Sequence, residues 1–142
     1  MSDEVAEPQI RVLLDVTALT AYARLTGMGV AELIATIEEE GGAGLVGIPA
    51  ACFMTAYWQL DADEQERLAA MVTRPDAVTV LLPLLGTDAL EAAQIGDVMG
   101  HAVIAARRTG AYLATYDADE AGRHLPDSGV LEVEDKLSTT RL

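Results

Sequence analysis

The chain has 142 residues, enough for one domain with a substantial core. It is 51% hydrophobic but only 4% aromatic, so that core must be built from Ala, Val, Leu and Ile, as when helices pack on a buried parallel sheet. Nine basic residues against 23 acidic ones give a net charge of −14, which opposes binding to a phosphate backbone unless a few local residues carry the right sign. No apolar run approaches the ~20 residues of a membrane span. The acidic start, Met1 to Pro8, lacks the basic and apolar regions of a signal peptide. A lone Cys52 excludes an intrachain disulfide, and a cytoplasmic protein is expected.

Residues 1–9 read as a frayed N-terminus. Ile10 to Leu14 is a short apolar run ending at Asp15, which predicts a buried strand. A helix follows from Ala18 to Leu25, stopped at Gly27, and a second from Val30 to Glu40, ended by Gly41-Gly42. Leu45 to Ile48 predicts the second strand, closed by Pro49. Ala50 to Leu60 is apolar almost all round and reads as a deeply buried helix. Asp61 and Glu64 have the spacing of a capping box, opening a polar helix to about Val72. Val78 to Leu82 is the third strand, ended by Pro83. Thr87 is placed to cap a helix to Ile95, broken by Gly96, and Asp97 to cap the next one, which runs to Thr109 and stops at Gly110. Ala111 to Thr115 and Val130 to Val133 complete five strands, with a short helical stretch near Arg123 between them. Residues 10–133 thus form a single domain, and 134–142 a tail.

Strands separated by helices predict a three-layer α/β fold, a mainly parallel five-stranded sheet with helices on both faces. In such sheets the ligand crevice lies beyond the carboxyl ends of the strands, where strand order reverses. Asp15 ends strand one and Asp117 follows strand four, so both face that crevice if these strands are neighbours. Carboxylates clustered at such an edge suit Mg²⁺ or Mn²⁺, which prefer hard oxygen ligands.

Val12-Leu13-Leu14-Asp15-Val16-Thr17, then Ile48-Pro49 before an apolar helix, then Gly110-Ala111-Tyr112-Leu113-Ala114-Thr115-Tyr116-Asp117, together resemble the blocks of the PIN-domain ribonucleases, in that order. The resemblance spans residues 10–133. It implies a metal-dependent nuclease site with four acids, a homodimer, and kinship with toxins of toxin–antitoxin pairs, hence an antitoxin-like partner. Carried over residue by residue, two slots are acidic, Asp15 and Asp117, with Thr17 and Thr115 as the hydroxyl residues beside them. The other two fall on Thr55, six residues after Pro49, and Met99, eleven before Gly110, where the family has Glu and Asp. A thioether has little affinity for Mg²⁺ and a threonine hydroxyl brings no charge. Two carboxylates and water would hold one Mg²⁺ or Mn²⁺ weakly.

Each acid also has a plainer role. Asp15 can cap the helix after its strand, and Asp117 and Asp119 can be turn residues. Asp97 can be an N-cap, or can orient His101 one helical turn on. Asp97 or Asp119 are the candidates to replace a missing ligand. Arg107 and Arg108 suit a helix C-terminus and are the candidates for phosphate contact. Tyr57 and Trp58 read as core or interface residues, Cys52 as packing, His101 as a surface or interface residue, and His124 has no assigned role. The expected protein is a PIN-like domain with impaired or lost catalysis that acts by binding protein, nucleic acid or nucleotide. The alternatives are a working Mg²⁺-dependent endoribonuclease, with Asp15 and Asp117 as metal ligands and Thr17 supporting the metal-bound water, or an unrelated small α/β enzyme or binder.

Overall fold

The computed structural model describes residues 9–26, 28–40 and 43–133. Its elements run β1 (Gln9–Leu14), α1 (Val16–Arg24), α2 (Gly29–Glu40), β2 (Gly44–Pro49), α3 (Ala50–Trp58), α4 (Ala62–Thr73), β3 (Thr79–Leu82), a 3-10 turn (Gly86–Asp88), α5 (Ala89–Thr109), β4 (Tyr112–Thr115), α6 (Ala118–Gly122), a second 3-10 turn (Asp127–Gly129) and β5 (Val130–Glu132). The five strands lie in the order β3-β2-β1-β4-β5, and every pairing is parallel. Right-handed connections move the chain from β1 to β3 in one direction and from β4 to β5 in the other, which puts helices on both faces. The order therefore reverses between β1 and β4. Leu13, Leu14, Val46, Ile48 and Leu113 fill the sheet's centre and are wholly buried.

Local chemistry explains most boundaries. The capping box at α4 is complete: Asp61 accepts from the Glu64 N–H at 2.9 Å, and Glu64 accepts from the Asp61 N–H at 2.9 Å. Gly110 ends α5 in the left-handed conformation, its N–H returning to the Ala106 carbonyl. Gln9, assigned from the sequence to the frayed N-terminus, begins β1 and pairs with Gly44. Residues 1–8 and 134–142, Gly27 and Gly41-Gly42 lie outside the described residues.

Three readings need correction. First, α1 starts at Val16 and ends at Arg24, with Leu25 at φ 58° supplying the left-handed cap that had been assigned to Gly27. Second, α3 is not deeply buried. Cys52 and Ala56 face inward, but Met54 is 60% and Trp58 80% exposed, because an apolar helix with no polar face gives no clue to which side meets the sheet. Third, Gly96 does not separate two helices. One helix spans Ala89–Thr109 and accommodates a φ of +140° at Gly96, so Asp97 lies inside it and is no N-cap, while Thr87 belongs to the 3-10 turn.

The backbone closes tightly behind Gly96. A Cβ placed on Gly100 would sit 1.9 Å from the Ala92 carbonyl oxygen. Helix propensity alone favours Gly100→Ala by about 1 kcal/mol. The clash should reverse that sign and destabilise the protein by about 1–3 kcal/mol in urea unfolding. Gly86→Ala, which meets nothing within 4 Å, should stay within about 0.5 kcal/mol of the parent.

Candidate functional site

Two neighbouring parallel strands, β1 and β4, end side by side where the strand order reverses, and each must turn directly into a helix. Their free backbone N–H groups need acceptors. Asp15 caps α1, its Oδ1 accepting from the Ala18 N–H at 3.0 Å and from the Thr17 hydroxyl at 2.6 Å. Thr17 Oγ1 in turn accepts from the Tyr116 N–H at 2.9 Å and lies 3.3 Å from Thr115 Oγ1. Thr115 accepts from the Asp117 N–H at 2.8 Å and hydrogen-bonds Asp15 as well. Asp15 is 2% exposed and Thr115 wholly buried. Burial raises the Asp15 carboxyl above its ordinary range, and its hydrogen bonds with Thr115, Thr17 and the backbone only partly offset this. Among the described residues, the groups that act on it are hydroxyls and backbone amides, not cations.

Asp117 is exposed and caps α6, its Oδ1 accepting from the Glu120 N–H at 3.2 Å, while Asp119 is an exposed residue of that helix's first turn. Thr55 is half-buried and lines a cavity of about 410 Å³ between α3 and α5, together with Ala51, Leu84, Ala92 and Val98. Met99 packs against the hydrophobic core. The side chain of Asp97 lies outside the described residues. Both candidate phosphate contacts already have protein partners. Arg107 reaches Glu91 at 3.4 Å and the His124 carbonyl at 3.1 Å, and Arg108 reaches Asp88 at 2.8 Å. His124 itself lies 3.5 Å from Glu120.

His101 is not the surface residue that its place near a helix start suggested. It is 2% exposed, with Nδ1 accepting from the Ala51 N–H at 3.3 Å and Nε2 lying 3.1 Å from the Pro83 carbonyl. An N–H donor on Nδ1 leaves the imidazole neutral, with its proton on Nε2. Burial lowers its pKa, a shift partly opposed by the Pro83 carbonyl and by Asp88. Its partners lie 50 and 18 residues away, so no local spacing announced it. Cys52 is buried and donates to the Val98 carbonyl at 3.5 Å. Burial, then the nearby Asp15, push its thiol up, so it is an inert packing group.

A hard divalent cation needs several oxygen ligands carrying net negative charge. Here Asp15 is engaged in internal hydrogen bonds, the Asp117 carboxylate caps α6, and Thr55 and Met99 bring no charge. Among the described residues no group of three or more His, Cys, Asp or Glu is placed to hold a metal ion. The donor set does not fit a multi-acid metal centre. No protein-family model matches the chain, and no curated protein matches it.

A carboxyl whose folded-state pKa is raised binds more protons folded than unfolded, so stability falls as pH rises from 3.8 through the folded value. Asp15→Asn keeps an acceptor for Ala18 and Thr17 but cannot ionise. At pH 7 the variant should melt no lower than the parent, and the advantage should shrink towards pH 4. Thermal melts of both proteins across that range test this, and a parent that gains on the variant as pH rises would refute it.

Proposed function

We propose that this chain is a PIN-like domain of nuclease ancestry whose catalysis is impaired or lost, and which acts by binding protein, nucleic acid or nucleotide at the carboxyl edge of its sheet. The observation that carries the reading is the fate of the four acid slots. The first acid, Asp15, is buried in hydrogen bonds that hold two strand–helix junctions together. The last, Asp117, caps α6, and the other two slots hold Thr55 beside an apolar cavity and Met99 against the core. The alternative, a working Mg²⁺-dependent endoribonuclease, draws support from one feature, a carboxyl kept buried at the carboxyl edge of the sheet with its pKa raised by that burial.

Net charge of −14 and the engaged Arg107 and Arg108 disfavour RNA, which supports a protein partner, an antitoxin-like one by the same resemblance. Among the described residues no helix is long and apolar enough to cross a membrane. The single Cys52, which leaves no intrachain disulfide, favours a cytoplasmic setting. Met54 and Trp58 on α3 and Leu90 in the first turn of α5 are exposed, and Leu84, in the segment after β3, is exposed in the wall of the Thr55 cavity. Apolar and aromatic surface of this kind suits a homodimer, whose interfaces bury about 800 Å² per partner.

Calorimetric titration with Mg²⁺ and Mn²⁺, run beside an RNA-cleavage assay, tests the leading reading. Weak binding is expected, Mn²⁺ above Mg²⁺, with cleavage at background. Thr55→Glu combined with Met99→Asp should tighten the metal. Robust Mg²⁺-dependent cleavage by the natural protein, abolished by Asp15→Ala, would establish the nuclease instead.

For the homodimer, light scattering at micromolar concentration should give twice the chain mass, and Trp58→Asp should halve it. A monomeric parent would rule the dimer out.

A further inference from the structure

Two cavities share Leu84 in their walls. One is the groove of Thr55, whose wall includes Ala51. The other, of about 180 Å³, is lined by His101 together with Leu82, Pro83, Asp88 and Arg108. From the wall of the second cavity His101 holds a residue of the first, Ala51 in the first turn of α3, and also the chain just after β3 through Pro83. We propose that His101 is a pH-responsive latch that positions α3 and sets the width of the Thr55 groove.

The residue that precedes α3 is Pro49. As the N-cap of α3 it has no side-chain acceptor, so the first amides of the helix must be satisfied from elsewhere. His101 supplies that acceptor from α5, which is available only while Nδ1 is bare. A proton on Nδ1 turns acceptor into donor, opposes it to the Ala51 N–H, and places a full positive charge at the positive end of the α3 dipole. The Pro83 bond survives protonation, because Nε2 donates in both states. The break therefore falls on α3, the helix that carries Thr55.

The charged groups facing His101 do not cancel this. Asp88, from the 3-10 turn, favours the imidazolium, but it is bonded to Arg108 of α5 at 2.8 Å. The first turn of α3 offers only Cys52, which is neutral, and β3 with Pro83 to Leu85 offers no titratable group. The sign follows from burial, which lowers the folded-state pKa. The latch contributes fully above the ordinary value of 6.5 and is lost as pH falls below it towards the folded value.

The latch rests on the binding reading only for what the groove is used for, so its test reads structure rather than binding. Long-range ¹H–¹⁵N correlation spectra of the imidazole should show the Nε2-protonated tautomer and a titration midpoint below 6.5. Hydrogen exchange at the Ala51 amide, corrected for its intrinsic pH dependence, should speed up by at least about tenfold between neutral and mildly acidic pH, while α4 amides keep their protection. His101→Asn, a non-titrating acceptor, should abolish that pH dependence. An Nδ1-protonated tautomer, a midpoint at or above 6.5, or Ala51 protection that ignores pH would each overturn the latch. If the variant fails to fold, the spectra and exchange of the natural protein decide alone. Absence of any ligand for the groove would remove the binding reading and leave these measurements unchanged.

Discussion

Where β1 and β4 end together, the chain must satisfy a row of backbone N–H groups, of which that of Ala18 is buried and those of Tyr116 and Asp117 are bonded in part-buried surroundings. Three side chains do it: Asp15 for Ala18, Thr17 for Tyr116, and Thr115 for Asp117. Thr17 is shared between the junctions, donating to Asp15 while accepting from the residue after β4. The two junctions are therefore one hydrogen-bonded unit, and the reversal of strand order is fastened through a hydroxyl. Leaving any of these donors unpaired in a buried site would cost about 1–3 kcal/mol each, so removing one member loosens both helices. The rest of the crevice depends on this unit, because α1 and the sheet form the floor against which α3 packs.

That unit also bears on how the Asp-x-Thr and Thr-x-Asp patterns should be read. Their residue types suit a metal site, yet here each polar atom has a structural task within its own junction. Such patterns mark the place where a parallel sheet reverses at least as directly as they mark chemistry. By the PIN-domain resemblance, nuclease chemistry would need two further acids, at positions on α3 and α5 that owe nothing to strand–helix turns. Those are the positions that hold Thr55 and Met99.

Much of the fold was legible because it rests on local rules. The Asp61–Glu64 box, the Gly110 cap and the strands ended by Pro49 and Pro83 are each decided within a few residues. The adjacency of β1 and β4, on which the crevice reading was conditional, is met by the observed strand order. What was not legible depends on distant partners. Apolar residues all round α3 could not say that Met54 and Trp58 face outward, since that is fixed by where α1 and α5 lie. Gly96 signalled a break, but whether a helix stops or bends at a glycine depends on packing beyond it, here the approach of Gly100 to Ala92. His101 carried no signal at all, since a proline N-cap can be served by any acceptor the fold delivers.

Asp15 and His101 are buried titratable groups of the crevice that respond to pH in opposite directions. Protonation suits Asp15, whose buried charge is the costly form, and harms His101, whose bare nitrogen is the useful one. They are also physically linked. α3 is held at its first residues by His101 and, one residue on, by Cys52 against Val98, and Cys52 in turn lies in the field of Asp15. Acidification therefore relieves strain at the floor of the crevice while releasing its wall. A global melting curve would sum these opposed effects and could look flat across mildly acidic pH, even as the groove around Thr55 changes shape. Site-resolved measurements separate them, because the floor belongs to β1 and β4 and the wall to α3.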